Sequence, residues 1–336
     1  MKKLLEEGKV MFHVLIIGAG TMGKIHIQAF RQMKDVKVVG VVDPNQLDSN
    51  KELDYQVFST FQQALETGDR IDVVDICVPT PLHLEYVKKA ADAKLNIICE
   101  KPLARSLEEG QEIINYCNRK SVKLYVAHVL RFFPEFVKVK EIIEKETIGK
   151  VGVVRTTRAG SFPIGWNDWY SDYQSSGGLI LDMVIHDIDF LRWCFGDIER
   201  VYAKGTLGKG FDNLEYALIT LRFINGVIAH LEGSWAHDSF SMSFEFSGTV
   251  GIIDYNSAND KPLELHSHSN KEGSGGVAVP ESPLNTTPYY RELRHFLDCM
   301  KYGAEPIVTA EDALEAVKIA LSAIESIRTS KPIFFN

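Results

Sequence analysis

Cysteine is scarce in this 336-residue chain, and the five present (Cys77, Cys99, Cys117, Cys194, Cys299) are scattered, with no C-x-x-C pair. That spacing argues against a disulfide framework or a structural zinc site and fits a reducing, cytoplasmic compartment. No apolar run approaches the roughly 18 residues of a membrane span. Lys2 and Lys3 precede a stretch that Glu6 and Glu7 interrupt, so the N-terminus does not read as a signal peptide. Long basic runs are missing as well, and the formal net charge is −8, which argues against nucleic acid or anionic membrane as a partner. There is no internal repeat and no low-complexity tail. What remains is ordinary globular composition, 45% hydrophobic and 24% charged, at a length that suggests two domains.

What is present begins at Phe12. An apolar strand-type run, Phe12–Ile17, enters the turn Gly18-Ala19-Gly20-Thr21-Met22-Gly23, and a helical apolar period (Ile25, Ile27, Ala29, Phe30, Met33) leaves it. In such a G-x-G-x-x-G turn Gly18 permits the tight bend, Gly20 lets the backbone approach a pyrophosphate, and Gly23 lets helix and strand pack closely. The pyrophosphate then faces the unpaired N–H groups of the helix start. A second β-rich run, Val36–Val42, ends in Asp43, placed to accept hydrogen bonds from ribose hydroxyls. Asp43 would repel a 2′-phosphate, and Pro44-Asn45-Gln46-Leu47-Asp48 offer no cation to neutralise one, so NAD is expected over NADP. Lys24 and Lys51 are the cations near enough to alter that balance. Met11 stands directly before the first strand, so residues 1–10 are expected to be an upstream extension.

From residue 12 to about 130, short apolar β-type runs alternate with helical periods, the signature of a doubly wound parallel sheet. Strands are expected at Phe12–Ile17, Val36–Val42, Gln56–Phe58, Val73–Val78, Asn96–Cys99 and Leu124–Ala127, and Ser106 with Glu109 reads as a capping box. After residue 150 long alternating strands dominate, which predicts an α+β domain with an open, mainly antiparallel sheet. The expected division is therefore 1–130 and 131–336. Strands are expected at Val151–Arg158, Val201–Thr206, Ala217–Phe223, Val227–Glu232, Met242–Phe246 and Gly251–Tyr255. Asn225-Gly226 predicts a type I′ hairpin with positive φ at both residues. Ser257–Thr287 reads as a long loop or meander, and Ala310–Thr329 as a closing helix.

Two places carry ionisable groups suited to chemistry. The run Asn96–Cys99 ends in Glu100-Lys101-Pro102, and ligands of doubly wound sheets bind outside the carboxyl ends of the strands. Lys101 therefore reads either as a group facing the cofactor or as a solvated turn lysine paired with Glu100. The segment from Gly177 to Trp193 is nearly all apolar except for its ionisable residues, and as a helix it sets Asp182, His186 and Asp189 on one face. Such groups are costly to bury unless paired or used, and histidine exchanges protons near neutral pH. A proton-transfer site is the leading reading, beside a core histidine held by its aspartates or a metal pair. The aromatics Phe162, Trp166, Trp169, Tyr170 and Tyr173 read equally as the lining of a sugar or cyclitol pocket and as ordinary packing. His266-Ser267-His268 reads as a solvated turn, and Arg131 as structural.

Together these residues resemble the glucose-fructose oxidoreductase / inositol dehydrogenase / rhizopine-catabolism (Gfo/Idh/MocA) family. The resemblance runs through the glycine turn, Val78-Pro79-Thr80-Pro81-Leu82-His83, Glu100-Lys101-Pro102, Arg131-Phe132-Phe133-Pro134, the Asp182…His186 helix and Thr309-Ala310-Glu311-Asp312-Ala313. It implies a Rossmann domain holding NAD(P), with Thr21, Met22, Pro79, Thr80, His83 and Glu100 joining the glycines and Asp43 at the cofactor. It further implies catalysis by Lys101, Asp182 and His186, a substrate site including Trp166, and assembly into dimers or tetramers through the second sheet. Ser176-Gly177-Gly178 with Leu181-Asp182-Met183 is most similar to inositol dehydrogenases, whereas Ser161 to Trp169 departs from them. The expected activity is reversible oxidation of a secondary alcohol on a sugar or cyclitol, without metal. An NAD-recycling glycosidase and a non-catalytic NAD-dependent sensor or repressor are the alternatives.

Overall fold

The structure is a computed structural model that describes residues 11–45, 54–208, 215–258, 264–267 and 286–335. Residues 1–10, Gln46-Leu47-Asp48, Lys51, His268 and most of the expected 257–287 loop lie outside them. The described chain forms two compact units. The first runs to Ala104 and takes in Glu108–Ala127 and Thr286–Glu311; the second comprises Arg105–Leu107, His128–Asn285 and the chain from Asp312 onward. No helix among the described residues is long and apolar enough to cross a membrane.

In the first unit, strands β1 (Phe12–Ile17), β2 (Val36–Val42), β3 (Gln56–Phe58), β4 (Val73–Ile76), β5 (Asn96–Glu100) and β6 (Leu124–Ala127) form one sheet in the order β3-β2-β1-β4-β5-β6. Every pairing is parallel. This order is that of the Rossmann fold, with its reversal between β1 and β4. Helices α1 (Thr21–Arg31), α2 (Phe61–Glu66), α3 (His83–Asp92) and α4 (Leu107–Lys120) connect the strands. The expected strands are therefore present, β4 ending two residues early and β5 one residue late. The strands are short; β1, β4, β5 and β6 are almost wholly buried, as a sheet covered on both faces requires, whereas the edge strand β3 has no buried residue.

The second unit begins with α5 (Pro134–Glu144), β7 (Val151–Ser161), α6 (Tyr173–Ser176) and α7 (Ile185–Phe195). Then come β8 (Ile198–Thr206), β9 (Tyr216–Phe223), β10 (Ile228–Ser234), β11 (Ala236–Gly248), β12 (Gly251–Asn256) and β13 (Glu264–Ser267). Helix α8 (Pro288–Tyr302) belongs to the first unit, and α9 (Ala310–Thr329) and β14 (Ile333–Phe334) close the chain. Eight strands form a sheet in the order β13-β12-β11-β7-β10-β9-β8-β14, antiparallel except for the parallel pair β7–β10. Val201, Ala203, Ile219, Leu221, Ala229 and Leu231 point to the buried face, alternating with exposed or half-buried neighbours. Phe136, Phe190, Phe244 and Phe246 pack edge-to-face behind it, with centroids 4.7 to 6.3 Å apart.

Three local expectations change. The β9–β10 hairpin is present, but Gly226 has φ +97° while Asn225 is not among the residues of positive φ. Gly226 N–H donates to Phe223 O (2.9 Å) and Val227 N–H to Asn225 Oδ1 (3.1 Å), so the loop is a three-residue turn with glycine in the left-handed position, not type I′. His266 and Ser267 lie in β13, paired with β12, and not in a turn. Helix α8 had no sequence expectation at all. Its Thr287 cap accepts the Tyr290 N–H at 3.1 Å, and Leu293, Phe296 and Leu297 are fully buried.

Candidate active site

The glycine turn has the form that a pyrophosphate needs. Gly18 sits at φ +92°, where a side chain would also meet Cys77 O at 2.7 Å. A Cβ on Gly23 would lie 2.0 Å from Gly18 O, so strand and helix approach each other too closely for any side chain there. Gly20 differs: a Cβ there would meet nothing within 4 Å, so its backbone faces open space at the start of α1. The helix start has no side-chain cap and no acid in its first turn, which leaves its positive end for an anion. Thr21 is exposed and Met22 half-buried beside it. Asp43 follows β2, and its two oxygens accept the Ala19 and Asn45 N–H groups, each at 2.9 Å. A carboxylate offers about four acceptor positions, so two remain for ribose hydroxyls. These residues fit a dinucleotide.

The ends of β4 and β5 supply the neighbouring residues. After β4, Pro79 is half-buried and Thr80 buried. His83 is buried, with Nε2 at 3.0 Å from Val78 O and Nδ1 at 3.3 Å from Leu103 O. It thus ties the end of β4 to the turn that follows Lys101. Burial holds its imidazole below its ordinary value, despite the two carbonyls. Lys101 is half-buried, the Lys101–Pro102 peptide is cis, and Lys101 N–H donates to Glu100 Oε2 at 3.1 Å. Glu100 is buried and lies 3.2 Å from His26 Nε2. His26 and its second partner, Asp75, had not been singled out; an acid inside the apolar strand Val73–Ile76 was the available signal.

In the second unit, the expected Asp182…His186 helix departs from a plain α-helix. Gly177 (φ +78°) and Gly178 (φ +66°) break the chain after α6, a π-helical turn spans Ile180–Val184, and α7 follows. From Ser176 to Leu191 every residue is buried except Asp182 and His186. Asp189, expected on their face, is 1% exposed and binds Arg131: Nη2 reaches Oδ1 at 2.6 Å and Nε reaches Oδ2 at 2.9 Å. Asp189 is thus taken up by Arg131, while Asp182 and His186 stay half-buried, so the expected triplet is reduced to a pair. Arg131 also donates to Asp312 Oδ2 at 3.1 Å, in accord with a structural role.

Two further residues hold this segment. Arg158 from β7 binds Asp187, beside His186. Glu215, directly before β9, is buried and accepts the Leu179 and Gly208 N–H groups, each at 2.7 Å. It therefore caps the helical segment in the manner of a negative charge at a helix start. Burial raises its carboxyl, against the two N–H groups. A Cβ on Gly178 would come within 2.5 Å of that carboxylate, so glycine and cap require one another. Trp166 is 55% exposed at the head of the Trp166–Ser171 turn, where Asn167 and Asp168 adopt φ of 49° and 51°. Trp169 and Tyr170 stack at 4.1 Å, and Phe162 packs on Trp235 at 5.1 Å. The aromatic segment thus divides into packing residues and one largely exposed indole.

Comparison with known proteins agrees with this geometry. Residues 12–128 match the oxidoreductase family with an NAD-binding Rossmann fold, and residues 136–254 match the GFO/IDH/MocA C-terminal domain. The uncharacterized oxidoreductase YrbE of Bacillus subtilis is 30% identical over 338 residues, covering 95% of both chains. Myo-inositol 2-dehydrogenase of Thermotoga maritima is 28% identical over 330 residues, 95% of this chain and 97% of its own. The crystal structure of a "probable dehydrogenase" from Thermotoga maritima, 27% identical, superposes with a TM-score of 0.80 over 96% of this chain and 98% of that one. A Rossmann unit with an open dinucleotide turn, followed by an antiparallel sheet carrying an Asp/His helix, defines a class of oxidoreductase. This chain belongs to the GFO/IDH/MocA family, and its first unit is an NAD-binding domain.

Proposed function

We propose that this protein is an NAD-dependent dehydrogenase that reversibly oxidises a secondary alcohol of a sugar or cyclitol, inositol-like in kind. One observation carries the reading: in a helix otherwise buried from Ser176 to Leu191, the sequence leaves Asp182 and His186 accessible. Burial of the whole helix would be the default for so apolar a segment, so two accessible ionisable groups support use by a ligand. The similarity to a myo-inositol 2-dehydrogenase supports the polyol class.

The cofactor is held, on this reading, by Gly18, Gly20, Thr21, Met22 and Gly23 at the pyrophosphate, by Asp43 at the ribose, and by Pro79, Thr80, Glu100 and Lys101 at the far end. His83 supports them from beneath through the carbonyls it ties. When bound, NAD supplies the hydride-accepting ring. His186 takes the hydroxyl proton as general base. Lys101 hydrogen-bonds the substrate oxygen and stabilises the negative charge that develops there, and Asp182 orients the substrate or the imidazole. Trp166 offers an apolar face for the ring of a sugar or cyclitol. Asp43 favours NAD over NADP, since a 2′-phosphate would face a carboxylate already fixed by two N–H groups.

The protein works, on the same reading, in the cytoplasm as a homodimer or homotetramer, with a second copy on the open face of the β8–β9–β10 sheet. That face exposes Tyr202, Tyr216 and Leu218, which a partner surface of the same chemistry would cover. The test is absorbance at the NADH band with NAD or NADP against a panel of inositols, aldoses and aryl glycosides. NADH production with a polyol supports the dehydrogenase. Glycoside cleavage without net NADH selects the NAD-recycling enzyme, and NAD binding without turnover of any substrate selects the sensor.

A further inference from the structure

His26 is fully buried on α1, three residues beyond Gly23, and it is surrounded by ionisable groups. Its Nδ1 lies 2.9 Å from Asp75 Oδ2 on β4, and its Nε2 lies 3.2 Å from Glu100 Oε1 on β5. The second contact is close enough for an ion pair, although its alignment falls short of a hydrogen bond. Cys77 Sγ stands 3.4 Å from Nδ1 and 3.7 Å from Asp75 Oδ2, and the Tyr289 ring of α8 is 6.3 Å away. The free edge of Glu100 accepts the Lys101 N–H. Three segments assigned above to the cofactor thus converge on one imidazole: the glycine turn through α1, the end of β4, and Glu100-Lys101.

The charge state follows from this surrounding. Burial, the largest single influence, would depress the imidazole, but Asp75 and Cys77 together outweigh it and hold the pKa well above 6.5. Glu100 is pushed up by burial and drawn down further by His26 and Lys101, so it stays ionised. The three donors His26, Asp75 and Cys77 also have a spacing that a metal ion would accept. Both His26 nitrogens already face carboxylates, however, and burial pushes the Cys77 thiol up to about 12. The cluster is instead a cation between two carboxylates, and either carboxylate left alone in so buried a place would carry a large penalty.

We propose that protonated His26 is a positioning residue that locks Glu100, and through it Lys101, against the dinucleotide-binding turn. The proposal rests on the cofactor reading above, and it concerns how binding is coupled rather than whether it occurs. Loss of the proton leaves Asp75 and Glu100 facing a neutral ring, so the three segments loosen together and NAD affinity falls as pH rises. Asp75, Cys77, Glu100 and Tyr289 are the titratable groups packed around the ring from β4 and its end, β5 and α8.

The experiment is equilibrium NAD titration by calorimetry from pH 6 to 9.5, with thermal melting at each pH, on the intact protein and on His26→Gln. We expect His26→Gln to bind NAD at least about 10-fold more weakly at pH 7. We also expect its affinity to be flat with pH, so that the wild-type curve falls toward it at the alkaline end. A merely structural histidine would lower the melting temperature but leave the two pH curves parallel, and that result, or an affinity within twofold of wild type, overturns the proposal. Should His26→Gln fail to fold, His26→Gln/Asp75→Asn removes one charge of each sign and is judged by the same two criteria. Absence of NAD binding by the wild type is a different result: it refutes the cofactor reading and the proposal with it.

Discussion

Arg158 holds Asp187 in a buried two-point ion pair one residue from His186, with Nε 2.7 Å from Oδ2 and Nη2 3.1 Å from Oδ1. The pair joins β7 to α7 beside the residue proposed as the base. Breaking such a pair from one side leaves an uncompensated buried charge, a cost of about 3–5 kcal/mol. Asp187→Asn is therefore expected to lose that much stability in urea unfolding. Turnover should fall beyond what the unfolded fraction explains, since His186 loses its fixed support.

His186→Ala removes the proposed base while leaving the helix and the Rossmann unit intact. Turnover should drop by about 10²–10⁴, the usual worth of general acid–base participation. NAD affinity by calorimetry should stay within about twofold. Equal losses of turnover and of NAD affinity would sink the assignment.

Gly20 and Gly23 separate binding from folding. Gly23→Ala drives a methyl into Gly18 O and should depress the melting temperature by several degrees or abolish soluble expression. Gly20→Ala meets no atom of the protein, so its melting temperature should match wild type. Its NAD affinity should nonetheless fall about 10-fold or more, because the methyl occupies the approach to the pyrophosphate.

Leu218 is 43% exposed in the middle of β9, on the face assigned to a second copy. Leu218→Glu should shift the protein to monomer in sedimentation or light scattering without changing its circular dichroism. An unchanged assembly, or a wild type that is monomeric at micromolar concentration, would place the interface elsewhere.

Stability should also respond to pH through His83. Burial holds its imidazole below 6.5, so between that ordinary value and the lower folded one the unfolded chain binds more protons. Stability is therefore complete above 6.5 and is lost as pH falls through the folded value. His295, also lowered by burial, adds a slope of the same sign. Melting temperatures of His83→Gln between pH 7 and 5 should fall less steeply than those of wild type.

Much of the first unit was legible because a parallel sheet buried on both faces writes itself as short apolar runs, and because the turn needs glycine at 18 and 23, where a side chain would strain or clash. The second unit was legible as alternation, which β9 follows residue by residue, while β8 breaks it at Glu199 and Arg200 and β10 at Gly233 and Ser234. The site was less so. Asp182 and His186 were readable as polar groups in an apolar helix. Asp189 is claimed by Arg131, 58 residues away, and the Glu215 that caps the segment lies 36 residues away in sequence from the amide it binds. Arg158 and Asp187 are 29 apart, and His26 and Asp75 are 49 apart, so neither pairing has a local signature. Helix α8 announces itself by Thr287-Pro288 and the spacing of Leu293, Phe296 and Leu297, a signal that the preceding Ser- and Gly-rich stretch obscured.

Helix α8 also bears on how the protein is made. Its Arg294 binds Asp35 at 2.8 Å, and its Phe296 packs on Tyr125 with centroids 5.2 Å apart, so a segment 259 residues further along the chain completes a layer begun around Asp35. A nascent chain that has released only the six parallel strands still exposes the apolar flank that α8 will cover. Until α8 has been translated, that flank is exposed to chaperones and to misassociation. An excised N-terminal fragment would inherit the same uncovered surface as a permanent defect.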